Sequence, residues 1–84
     1  MIFNKRMKLH IGNEIRKELQ KQERTVIWLA SKLRNGDPSN LGKKLHSEHI
    51  KHELLYEISF VLKKDFFTFY SAQLSEEIYG KKSP

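Results

Sequence analysis

Apolar residues along this chain recur at helical spacings, in short stretches separated by polar punctuation. Ile11, Ile15 and Leu19 stand at i, i+4 and i+8 within "IGNEIRKELQKQ", where most other positions are charged or amide-bearing. That stripe predicts an amphipathic helix over about residues 11–22. In "RTVIWLASKLR", Thr25 is a predicted N-cap, and Val26, Leu29, Ala30 and Leu33 form an i, i+3, i+4, i+7 face. The small Ala30 would let another helix cross closely. Asn35 and Gly36 can take the left-handed conformation that ends helices, so the second helix is expected to stop there.

A third helix restarts almost at once. Asp37 can cap it, Pro38 suits its first position, and Leu41 and Leu45 point inward one turn apart, giving a helix over about residues 38–46. Gly42 in its middle costs roughly 1 kcal/mol against Ala. "SEHIKHE" reads as a loop, with Ile50 inserted under the next helix. "ELLYEISFVLKKD" then carries Leu54, Leu55, Ile58, Val61 and Leu62, the broad apolar face of a central core helix. Asp65 caps a fifth helix, "FFTFYSAQL", whose Phe66, Phe67, Phe69 and Tyr70 are too bulky to be all exposed. Periodicity fades after Leu74, where fraying is expected. Strand alternation and internal repeats are both missing. The pattern predicts an all-α fold of five helices, with an arm at residues 1–8, a domain at 9–74 and a tail at 75–84.

Composition narrows the class. Eighty-four residues, 38% of them apolar, suffice for one compact core. There is no cysteine, so neither a disulfide framework nor a thiolate metal site can form. No stretch approaches the roughly 18 apolar residues of a membrane span. "MIFNKRMKLHIG" lacks the apolar region of a secretion signal, so a cytoplasmic protein is expected. The net charge of +6 is segregated: residues 1–44 hold 11 Lys+Arg against 4 Asp+Glu, and residues 45–84 hold 5 against 6. A polyanion-binding half follows, with nucleic acid the first candidate and anionic lipid the second.

Two helices joined by a short glycine-containing turn make a helix-turn-helix, here at about residues 25–46. In such a unit the first helix braces across the phosphate backbone while the second enters the major groove. The restart at Asp37 and Pro38 then aims Ser39 and Asn40 at base edges, with Lys43 one turn later. In order and spacing, "RTVIWLASKL…SNLGKKL…I…ELLYEISFVLKKDFF" resembles the Cro/lambda-repressor-like helix-turn-helix regulators of bacteria and phages. Thr25, the pair Leu29–Ala30, Leu33, Leu41 and the aromatic "DFF" carry the likeness, over residues 9–74.

The resemblance implies a compact five-helix DNA-binding domain acting as a sequence-specific transcriptional regulator, repressor-like in type. It places Ser39, Asn40 and Lys43 at base-reading positions, with Lys44 a further candidate if the register shifts by one. Thr25 matches a phosphate-contacting position, and Lys32, Arg34 and Lys51 are candidates for backbone contacts that set register. Two departures stand out. "RNGDPS" is about one residue longer than the family's usual turn, and Lys44 falls where an apolar residue is common, leaving Leu45 to fill the core. Related repressors pair through their C-terminal helices, which makes Phe66, Phe69 and Tyr70 candidate contacts of a homodimer.

Other constellations weigh less. His46, His49 and His52 form HxxHxxH, but the intervening loop breaks any shared face, so no metal is expected. Carboxylates at a spacing for paired acid and base, and a phosphate loop, are both missing, so no enzyme and no cofactor are expected. Trp28 is core or interface in preference to a stacking platform. Lys5, Arg6 and Lys8 suit either a DNA-contacting arm or a solubilising tail. A chain this short is expected to leave no room for an effector pocket, so no small-molecule ligand is expected. The competing readings are a protein-interaction module, antitoxin-like or phage-derived, and an amphipathic membrane-surface binder.

Overall fold

The structure, a computed structural model, describes residues 9–34 and 36–79. The expected arm, Asn35 and residues 80–84 lie outside the described residues. Among the described residues five helices follow in order: α1 (Ile11–Lys21), α2 (Val26–Lys32), α3 (Pro38–Leu45), α4 (His52–Leu62) and α5 (Phe67–Tyr79). No strand occurs among the described residues, and no helix there is long and apolar enough to cross a membrane.

The predicted stripes converge on one core. Ile11, Ile15 and Leu19 of α1 meet Leu29 and Ala30 of α2, Leu41 and Leu45 of α3, and Leu55, Ile58 and Leu62 of α4. Phe66 closes this cluster with no exposed surface. Ile50 is half-buried against it from the α3–α4 loop, as expected.

The seam between α1 and α3 is unusually close. A Cβ added at Gly12 would lie 1.8 Å from the Leu45 carbonyl oxygen, so only glycine lets α1 cross the end of α3 here. Arg16 donates a guanidinium hydrogen bond to that same carbonyl at 3.0 Å. His10 joins the two helices from outside the seam. Its Nδ1 accepts from the Asn13 N–H at 3.1 Å, capping α1, while its Nε2 meets the His46 carbonyl at 3.1 Å. The Nε2–H tautomer satisfies both. At the far end of α1, Gln22 Nε2 donates to the Leu62 carbonyl at 3.0 Å and ties α1 to the end of α4.

Two helix ends, those of α2 and α5, differ from expectation. α2 stops at Lys32 because Leu33 is already extended, at φ −93° and ψ 153°. Gly36 is therefore not a left-handed stop. It is required by crowding, since a Cβ there would lie 1.5 Å from the Ala30 carbonyl oxygen. Instead, left-handed residues end α1 and α4: Glu23 at φ 60° and Lys63 at φ 55°. In each case the two following-turn bonds of a Schellman motif form, Arg24 N–H to Leu19 O at 2.8 Å and Lys64 N–H to Ser59 O at 3.1 Å among them. The last difference is at the C-terminal side, where α5 runs on to Tyr79, beyond the Leu74 at which the periodicity fades.

The crossing and the stops separate in mutational tests. Gly12→Ala should lower stability by about 1–3 kcal/mol through the backbone clash. Glu23→Gly should raise it by about 1 kcal/mol by relieving the left-handed strain. Urea unfolding followed by circular dichroism measures both.

Candidate functional site

The packing that buries α3 also decides what it shows. Leu41 and Leu45 point into the core, so Ser39, Asn40, Lys43 and Lys44 are left exposed as two i, i+4 pairs on the other side. Leu45 takes the core position and Lys44 is solvent-facing, as the departure at that position predicted. Pro38 occupies the first turn, and Asp37 Oδ1 accepts from the Ser39 N–H at 3.3 Å. Lys43 and Lys44 stand in the last turn, where cations complement the helix dipole.

α2 precedes this helix as a separate element. Thr25 caps it by accepting the Trp28 N–H at 3.0 Å, and its hydroxyl remains exposed with a proton to donate. Trp28 is half-buried and carries cations at i−4 and i+4. The Arg24 guanidinium lies 4.4 Å from the ring centroid, and Lys32 Nζ lies at 5.8 Å. Sequence reasoning did not single out Arg24; its signal is the position four residues before the only tryptophan. Beside it, a groove of about 510 Å³ between α1 and α2 is lined by Arg16, Lys17, Arg24 and Thr25, with no carboxylate in its lining.

Six of the eight expected DNA-contact residues divide among three places. A cleft of about 380 Å³ between α3, the following loop and α4 brings together Arg34, Asn40, Lys44 and Lys51 above Leu33, Leu41, Ile50 and Leu54. Arg34 is partly engaged there: its Nε lies 3.5 Å from Glu57 Oε2, and its backbone N–H donates to Glu57 Oε1 at 3.3 Å. Lys32 is outside that cleft, in a groove with Tyr56, Phe60 and Val61 that Arg34 also lines. Thr25 belongs to the α1–α2 groove, and Ser39 and Lys43 project from α3 outside all three. The cleft corrects one expectation. Its volume falls within the roughly 300–1,000 Å³ of ordinary ligand pockets, so the chain does have room for one.

The remaining candidates are also located. His46 is the C-cap of α3, and residues 47–51 form the loop expected between it and His52. Of the candidate dimer contacts, Phe66 must be withdrawn, because it is fully buried in the core. Phe69 is half-buried, stacked on Phe66 and covered by Lys64 Nζ at 5.6 Å. Tyr70 is the most exposed of the three, at 38%, and its partial burial raises the phenol above the ordinary tyrosine range.

No family model matches the chain, and neither a curated protein nor a solved structure matches it.

The caps set how firmly α2 and α3 are held at their leading ends. Thr25→Ala should cost about 1 kcal/mol, and Asp37→Ala less, because its bond is the longer of the two. Amide hydrogen exchange in α2 and α3, read for each variant, measures the difference.

Proposed function

We propose that this chain binds double-stranded DNA sequence-specifically and acts as a small transcriptional regulator of the lambda-repressor-like kind. One observation carries the reading. α3 is anchored on one side by Leu41 and Leu45 and offers Ser39, Asn40, Lys43 and Lys44 on the other, directly after the separate capped helix α2. An α-helix fits the roughly 12 Å width of the major groove. In this reading α2 and α3 form the helix-turn-helix, and α3 enters that groove. Asn40 pairs with adenine through its amide, and Lys43 and Lys44 donate to guanine acceptors. Thr25, Arg34 and Lys51 hold phosphates and set the register, joined by Arg24 from the α1–α2 groove. Basic charge supports this: the portion of the chain through Lys44 holds the whole of the positive excess, the remainder being slightly acidic.

The competing reading is a protein-interaction module, favoured by the exposure of Tyr56 and Phe60 on α4 and of Leu74 and Ile78 on α5. Salt dependence separates the two. DNA binding loses about 0.9 in log K per phosphate contact for each decade of salt, whereas an apolar protein contact is nearly indifferent to it.

Selection from random duplex oligonucleotides with the purified protein tests the proposal. A single enriched motif is expected, bound about a thousandfold or more tighter than random duplex. Asn40→Ala should relax preference at one base step, and Lys51→Ala should weaken every sequence alike. No enriched motif at moderate salt would overturn the reading.

A further inference from the structure

The cleft between α3, the following loop and α4 is made of two unlike parts. Its floor is aliphatic. Leu41 is buried, Leu33, Ile50 and Leu54 are half-buried against the core, and all four line the same cavity of about 380 Å³. The rim carries cations and carboxylates together, but they are not equally engaged. Glu57 receives the Arg34 guanidinium and backbone N–H, Asp37 caps α3, and Glu53 lies 3.7 Å from His52 Nε2. Among the described residues, the ammonium groups of Lys44 and Lys51 meet no carboxylate, carbonyl or ring.

Two unpaired cations above an aliphatic floor suit an anion and a hydrocarbon at once. DNA supplies only the first. Its phosphates lie on the outside of a broad rod, so a duplex can meet the rim while the floor stays uncovered. No aromatic ring is among the lining residues, so a planar ring finds no stacking partner there, and a flexible alkyl chain fits better.

We propose that this cleft binds a small carboxylate bearing an aliphatic chain, and that such a ligand releases the protein from DNA. The alkyl chain lies against Leu33, Leu41, Ile50 and Leu54, and the carboxylate accepts from Lys44 and Lys51. Asn40, Lys44 and Lys51 are also the side chains that the DNA reading assigns to bases and phosphates, so ligand and duplex compete for the same groups. Binding of the carboxylate stands without the DNA reading; only the competition rests on it.

Octanoate titrated into the full chain without DNA, followed by methyl-resolved NMR, tests the site. It should shift the methyl signals of Leu33, Leu41, Ile50 and Leu54 together and saturably, and leave those of Leu74 and Ile78 on α5 unmoved. Hexanoate, with two fewer methylenes to bury, should bind about tenfold more weakly. Octanol, lacking the charge, should bind about fivefold or more weakly, and acetate should shift none of these signals. Lys44→Glu and Lys51→Glu, both at exposed positions, should each lower octanoate affinity about tenfold with helical circular dichroism unchanged. Shifts spread equally over α4 and α5, octanol binding as tightly as octanoate, or both lysine variants binding like wild type would overturn the site. Octanoate at about ten times its dissociation constant should also weaken binding of the selected duplex about tenfold, with acetate at equal concentration controlling for ionic strength. Undiminished DNA binding would overturn the competition and leave the DNA reading standing. A failed selection would overturn the DNA reading and the competition together, while the methyl shifts still decide the site.

Discussion

The carbonyl oxygen of Leu45 is the point on which the arrangement turns. Carbonyls in the last turn of a helix have no partner within it and must be met by water or by another group. Here α1 meets that end directly: Gly12 leaves room for the approach, Arg16 donates to the Leu45 oxygen, and His10 reaches the carbonyl of the next residue. The Leu45 side chain, fully buried, packs with Ile11 and Ile15 in the same core. Polar satisfaction and apolar burial thus fix one end of α3 at one place. A helix of 8 residues is too short to persist in water unaided, so this docking supplies most of its order.

The other end of α3 is set by different means. Asp37 and Pro38 start it, Gly36 fits under the Ala30 carbonyl, and Glu57 of α4 takes hold of Arg34 in the connection. Each bond is modest, and the exposed Arg34–Glu57 pair contributes little by itself. Together they determine where the chain turns between α2 and α3. The outward side of α3 then follows from what its inward side must do.

Much of this was legible in the residues. Helical periodicity located all five helices, and Thr25, Asp37 and Asp65 marked starts, with Asp65 Oδ1 accepting the Phe67 N–H at 3.0 Å. What escaped has a common cause. Glu23 and Lys63 end helices in a left-handed conformation that nothing about Glu or Lys announces, and Gly36 suggested a stop for which it is not used. Nothing in the helical pattern singles out Gly12, because its reason is a backbone 33 residues away in the sequence. The site was legible on α3 itself, where alternation between Leu and polar residues decides exposure. The grouping of Arg34, Asn40, Lys44 and Lys51 around one cleft, and the removal of Lys32 to another, depend on how α4 lies across α2. Periodicity within one helix carries no information about that.

The division of labour along α3 bears on how such a chain can change over generations. Because Leu41 and Leu45 alone commit α3 to the core, substitutions at Ser39, Asn40, Lys43 and Lys44 leave the scaffold's stability nearly untouched. The outward side is therefore free to drift without the molecule having to relearn how to fold.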